Sequence, residues 1–242
     1  MLLLIDAGNT RVKWALAADD AAVGEWIASG AAAHDELPSM QASWAQHALT
    51  RAIVSNVAGP GVRASLEQIL PAVECEWFAS VPRRAGVRNG YRDPAQLGSD
   101  RFAAAIGARA LEPGKALVVA TCGTATTIDA LTADGRFLGG MILPGLGLMA
   151  SSLARNTAQL PHIAPAGAVP AGFADNTDDA ILSGCVSAQA GAIERACRLL
   201  GASLCMLSGG AARYIAPALS APCRMVDNIV LAGLHAAAIS GE

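Results

Sequence analysis

In LLLIDAGNTRVKW, residues 2–14, apolar residues run into Asp6, the chain reverses at Gly8 and Asn9, and Lys13 follows on the far side. An apolar run that stops at a carboxylate and turns at glycine predicts a buried strand entering its hairpin partner. Backbone N–H groups at such a tip act as fixed positive dipoles, and the aspartate supplies a hard oxygen. The tip therefore suits phosphate oxygens and a magnesium ion. Asp, Gly and Asn are also the residues of an ordinary turn, and on this segment alone both readings stand. A second polar group, GVRNGYRDPAQLGSDR at residues 86–101, gathers Arg92, Asp93, Asp100 and Arg101 around Tyr91 and leads into a helix expected at residues 101–111. Ser99 or Asp100 then lies at or beside the helix N-cap. A capping aspartate stabilises a helix by about 1 kcal/mol with no chemistry attached. An ordinary cap does not call for two arginines and another aspartate grouped around a tyrosine.

The elements that must position these residues show a repeat. Laid under LLLIDAGNTRVKWALAADD (residues 2–20), the stretch LVVATCGTATTIDALTADG (residues 117–135) puts Gly123 under Gly8, Thr124 under Asn9, Leu131 under Leu16 and Asp134 under Asp19. Each copy predicts two strands around a glycine turn and then a third strand, at residues 23–27 and 137–142. A repeated meander implies two similar lobes, expected at residues 1–112 and 113–242. Their glycine turns would lie on either side of a nucleotide's phosphates. After the first meander a helix is expected at residues 38–51, with Met40, Trp44 and Ala48 on one face, then a strand at 52–57, a helix at 62–70 and a strand at 74–78. That order predicts an α/β fold of ribonuclease H-like lobes. In the second half, Leu148, Met149, Leu153 and Leu160 have helical spacing, and Thr177 is the expected cap of a helix at residues 180–200. Gly209 and Gly210 fit either close approach of a flat ligand such as adenine or a plain tight turn. The last helix is expected at residues 229–239.

Of 242 residues, 53% are hydrophobic and 15% charged, which implies a sizeable core. The net charge is −3, and Lys and Arg are scattered, so the electrostatic footprint of nucleic-acid binding is missing. Six cysteines carry no CxxC and no zinc spacing, and most lie in apolar runs, which implies reduced thiols and a cytoplasmic compartment. The N-terminus has no basic segment, and Asp6 interrupts its apolar run too early for a signal peptide. The uncharged run at residues 137–154 is long enough to query as a membrane span. Its glycines and Pro144 favour a loop leading into a buried helix, so no membrane association is expected.

DAGNT at residues 6–10, GYRDPAQLGSDR at 90–101, CGTATTID at 122–129, GGMILPG followed by LARNTAQLP, and NTDDAILSG at 176–184 together resemble the type III pantothenate kinase family. The match runs in order over nearly the whole chain. It implies an actin-like ATPase fold of two ribonuclease H-like lobes with the nucleotide cleft between them. The implied activity is phosphorylation of pantothenate by ATP, the first step of coenzyme A synthesis, in a homodimer whose acceptor site is completed near the subunit boundary. By the same resemblance Asp6 is the magnesium and phosphate aspartate, and Gly8, Asn9, Thr10 and Lys13 form the first phosphate segment. Thr124 matches the second-lobe ATP contact. Asp100 matches the proton acceptor, and Tyr91, Gly98, Ser99, Asp100, Arg101 and Thr177 match pantothenate contacts. One position departs: many members carry an aspartate at Thr121, where it helps hold potassium or ammonium. A neutral hydroxyl there removes that charge, which leaves the monovalent-cation requirement open. Competing expectations are an ATPase whose output is a conformational change, a regulatory protein, and a kinase for another small acid or a sugar.

Overall fold

In the computed structural model, which describes residues 1–166, 169 and 172–240, the N-terminal apolar run forms β1 (Leu2–Ala7), buried along its whole length. It pairs antiparallel with β2 (Arg11–Ala17), and β3 (Ala28–Ala33) adds to the far side of β2. Helix α1 (Leu37–Trp44) leads to β4 (Arg51–Asn56), which lies parallel to β1, and α2 (Pro60–Ile69) leads to β5 (Glu74–Trp77). The sheet order is β3-β2-β1-β4-β5.

Two expectations shift here. The third strand is not residues 23–27 but β3, because the Ile27 amide donates to the Leu16 carbonyl and the ladder continues from Leu16 opposite Ala28. Its ASGAAA sequence has little strand propensity, and its glycine makes room: a Cβ on Gly30 would lie 2.9 Å from the Trp14 indole. Helix α1 ends at Trp44, so Ala48 is exposed beyond it instead of completing an apolar face.

Short strands β6 (Arg83–Arg84) and β7 (Val87–Asn89) precede α3 (Ser99–Leu111). The meander then recurs as β8 (Leu117–Cys122), β9 (Ala125–Leu131) and β10 (Arg136–Pro144). There follow α4 (Leu146–Asn156), α5 (Thr177–Leu200), β11 (Leu204–Ser208), α6 (Ala212–Ile215), β12 (Cys223–Met225) and α7 (Ile229–Ile239). The uncharged run queried as a membrane span is thus β10 and α4. Among the described residues no helix is long and apolar enough to cross a membrane.

The chain divides into two compact units. One comprises Met1–Pro113, Gly135–Phe137 and Asn228–Glu242, the other Gly114–Asp134 and Leu138–Asp227. The first unit thus takes in, beyond the stretch expected for an N-terminal lobe, the start of β10 and the C-terminal helix. Strand alternation gives its sheet two buried faces. Ile5, Val12, Trp14 and Val54 pack with Met40 and Trp44 of α1 and Leu66 and Ile69 of α2, while α3 and α7 cover the other face. In the second unit, β11 lies parallel to β8 and β12 parallel to β11, and α5 and α6 pack Ile193, Ala196 and Ile215 onto Val118, Ala120 and Leu207. All six cysteines are free thiols, four of them buried.

Helices α3 and α7 meet at glycines. A Cβ on Gly233 would lie 1.7 Å from the Ala103 carbonyl oxygen, and one on Gly107 would lie 2.5 Å from the Ile229 carbonyl oxygen. Because α7 is buried nearly all round, it has no room to shift aside. Gly233→Ala is therefore expected to lower stability by about 3 kcal/mol and Tm by on the order of 10 °C in thermal unfolding. Gly191→Ala, on α5 where the added carbon meets nothing within 4 Å, is the control and is expected to be neutral or slightly stabilising.

Candidate active site

Lys13 on β2 and Ser55 on β4 are both in register with Asp6 on β1. Their apolar sequence neighbours Val12, Trp14, Ile5 and Val54 belong to the α1/α2 core. Alternation therefore turns Lys13, Asp6 and Ser55, as one row, to the face that α3 and α7 cover. Asp6 is buried there, and its carboxyl is pushed up to about 6: burial raises it most, the Lys13 ammonium opposes that and the Asp100 carboxylate adds to it. Asp6 and Asp100, far apart in sequence, thus feel each other's charge.

Helix α3 explains how. Its N-cap is Gly98, with Ser99 and Asp100 as the first two helical residues, and no side chain caps it. Asp100 is not spent as an N-cap: its Oδ1 accepts from the adjoining Arg101 amide at 2.8 Å. Burial raises the Asp100 carboxyl above its usual range, against the opposing pull of the Arg101 amide and guanidinium. Gly98 leaves the space that Asp100 needs, since a Cβ there would lie 2.7 Å from Asp100 Oδ1. Ser99 Oγ lies 2.9 Å from Ser55 Oγ, linking the helix start to the row on the sheet.

The buried Arg101 donates through Nη1 to the Tyr91 hydroxyl at 2.8 Å. Its guanidinium carbon lies 5.7 Å from the Tyr91 ring centre and 5.9 Å from that of Phe137. The polar group around Tyr91 is looser than its sequence suggests. Asp93 caps the short 3-10 helix Pro94–Gln96 through the Ala95 amide, and Arg92 is exposed.

At the glycine turn the Gly8 amide donates to the Arg11 carbonyl, and the Gly8 carbonyl accepts from His34 Nε2 at 2.9 Å. Asn9 and Thr10 are exposed at the tip. The counterpart in the second unit is one residue tighter. Ala7 pairs with Val12 across the first turn, but Cys122 pairs with Thr126 across the second. The ungapped echo is consequently out of register beyond the glycine, and Thr127, not Ile128, is the partner of Thr121 as Lys13 is of Asp6. Thr124 is exposed at this turn, and its carbonyl accepts from the Gly145 amide that opens α4.

Asn176, not Thr177, caps α5. Its side chain accepts from the Asp179 amide at 3.0 Å and donates to the Asp179 carboxylate, which leaves Thr177 exposed as the first helical residue. Gly209 has a packing reason of its own: at φ 92° a Cβ would lie 2.4 Å from the Cys122 carbonyl oxygen. The tight-turn reading is sufficient there.

Asp6, Gly8, Asn9, Thr10, Lys13, Tyr91, Gly98, Ser99, Asp100 and Arg101 all belong to the first unit, and Thr121, Thr124 and Thr177 to the second. Sequence reasoning missed Ser55, His34 and Phe137. A polar residue closing the apolar run AIVS was the one available signal for Ser55. The site suits magnesium in the way nucleotide sites do, with one or two carboxylates and the remaining positions left to phosphate and water. Asp6 is a buried carboxylate whose ionised form is costly without a cation. Among the described residues there is no group of three or more His, Cys, Asp or Glu side chains that could hold a metal.

Solved structures define the class. The chain resembles an activator of the 2-hydroxyisocaproyl-CoA dehydratase from Clostridium difficile, solved with ADPNP, at TM-score 0.58 and 13% identity over 98% of this chain and 92% of that one. It also resembles a protein from Campylobacter jejuni described as a candidate Baf family transcriptional activator, at TM-score 0.64 and 19% identity over 96% and 94% of the two chains. At these identities the likeness shows the fold: the α/β fold of actin-like ATPases, built of two ribonuclease H-like units. The sequence narrows this class. The family model for type III pantothenate kinase matches residues 2–199. A type III pantothenate kinase from Herminiimonas arsenicoxydans is 56% identical over 99% of this chain and 98% of its own length. The chain belongs to the type III pantothenate kinase family.

Proposed function

We propose that this chain transfers the γ-phosphoryl group of ATP to pantothenate, giving 4'-phosphopantothenate, the first step of coenzyme A synthesis. The observation that carries the reading is the placement of two carboxyls, the buried Asp6 on the sheet face that α3 covers and the half-buried Asp100 at the start of α3, near enough for the charge of one to act on the other. One suits the phosphate side of a transfer and the other the acceptor side.

Phosphoryl transfer asks a protein for positioning and for neutralisation of charge on the phosphate oxygens. Asp6 holds the magnesium, which when bound supplies positive charge to those oxygens. The amides around Gly8, with Asn9, Thr10 and Lys13, hold the nucleotide phosphates, and Thr124 contacts ATP. Arg101 pairs with the pantothenate carboxylate, a planar fork meeting a planar anion, and its bond to the Tyr91 hydroxyl fixes the plane of the fork. Tyr91, Gly98, Ser99 and Thr177 complete the acceptor contacts. Asp100 accepts the proton of the attacking hydroxyl. An aliphatic alcohol is too weak an acid to be ionised by a carboxylate in the ground state, so the proton moves late, as the bond to phosphorus forms. The enzyme works as a cytoplasmic homodimer without nucleic acid or membrane.

The testing experiment measures ADP release with and without pantothenate, each with and without potassium or ammonium. Release that requires pantothenate is expected, and equal release without it would favour a free-standing ATPase. With Thr121 in place of a carboxylate, omitting the monovalent cation is expected to change the rate less than about twofold, since no anionic side chain there holds the ion. A strict potassium requirement would overturn that reading of Thr121.

A further inference from the structure

The helix that presents Asp100 lacks a side-chain cap of its own, yet its first residue is held from outside. Ser55 is 0% exposed, and its hydroxyl lies 2.9 Å from that of Ser99, the residue before Asp100. Burying a hydroxyl at the end of an apolar strand costs free energy that an alanine in the same place would avoid, unless the hydrogen bond is needed. Ser55 is also in register with Asp6, so its side chain stands beside that carboxylate on the same face of the sheet. The Ser55–Ser99 contact thus links the strand row carrying Asp6 to the helix start carrying Asp100.

We propose that Ser55 is a positioning residue for phosphoryl transfer: through Ser99 it holds the first turn of α3 against the Asp6 row and so sets the separation of the two carboxylates. It touches neither substrate. Its effect falls on the acceptor side, because Ser99, Asp100 and Arg101 are consecutive at that helix start, while the glycine turn hangs on β1, β2 and His34. The proposal rests on Asp100 acting toward the acceptor, and the two stand or fall by different variants. Normal turnover by Asp100→Asn would remove the base and leave the Ser55–Ser99 coupling still readable.

The test is a double-mutant cycle on the purified full-length chain, with kcat and both KM values measured for Ser55→Ala, Ser99→Ala and the double variant. Ser55→Ala is expected to lower kcat about tenfold and to raise the pantothenate KM, while the MgATP KM moves less than about twofold. Because Ser55 acts through Ser99, the double variant is expected to be no worse than Ser99→Ala alone. Ser55→Cys, close to serine in shape but a weak donor, is expected to follow Ser55→Ala, and it carries the test should the alanine variant fail to fold. Wild-type kinetics for either Ser55 variant, or losses that multiply in the double variant, would overturn the proposal.

Discussion

Asp100→Asn is expected to lower kcat by about 10²- to 10⁴-fold while the Kd for MgATP, measured by calorimetry, stays within about twofold. Asparagine keeps the size of the side chain and can still accept from the Arg101 amide, so the first turn of α3 is preserved. What disappears is a carboxylate able to take the hydroxyl proton late in the transfer. Its raised pKa, caused first by burial, makes it a stronger base than an exposed aspartate. A drop in kcat without a matching loss of MgATP affinity separates this role from that of Asp6, on the phosphate side.

Asp6→Asn is expected to do two things in opposite directions. Its kcat/KM for MgATP should fall by about 10²-fold or more, because a neutral amide is a poor partner for magnesium and the charge it neutralises. Its stability in the absence of nucleotide and magnesium should rise. The folded protein keeps the Asp6 proton up to about pH 6, whereas the unfolded reference value is 3.8. Between those values the folded state binds the extra proton, so the stability linked to this group is present below the unfolded pKa and lost as pH rises through about 6. Above that, the ionised buried group costs about 3 kcal/mol. Removing the charge should recover about 1–3 kcal/mol at pH 7.5, a Tm gain on the order of 5 °C, and the gain should shrink as pH falls below about 6. Thermal unfolding of the two proteins across that range is the measurement.

Much of this was legible in the sequence, and the exceptions share a cause. Apolar runs ending at glycine turns mark β1, β8 and β11, and α7 appears at the expected residues 229–239 because its apolar run has clear ends. Its attachment to the first unit was not legible. A helix apolar all round points in no direction, and the decisive contacts are those of Gly107 and Gly233, residues with no side chain to read. Strand β3 escaped for a related reason, since ASGAAA has little strand character and its Gly30 leaves room for the Trp14 indole. The one-residue difference between the two glycine turns is hidden in an ungapped alignment, because a ladder's register depends on turn length that strand composition does not report. At the α5 start the expected cap was Thr177, and the bond that the Asn176 side chain accepts from the Asp179 amide puts the cap one residue earlier.

The candidate site divides the same way. Asp6 announces itself as a carboxylate closing an apolar run, and Tyr91, Asp100 and Arg101 as members of the polar group at residues 86–101. Ser55 and Phe137 do not, since a serine closing a strand and a phenylalanine opening one are ordinary in sequence. They matter because the fold sets one against Ser99 and the other near the Arg101 guanidinium.

The central claim is that the Asp100 carboxylate faces the acceptor hydroxyl. The most direct measurement is that distance in a crystal of the protein with pantothenate and a non-hydrolysable ATP analogue. A carboxylate oxygen within about 2.6–3.2 Å of the hydroxyl is predicted; a hydroxyl beyond hydrogen-bond reach of Asp100 and bonded to another base would contradict it.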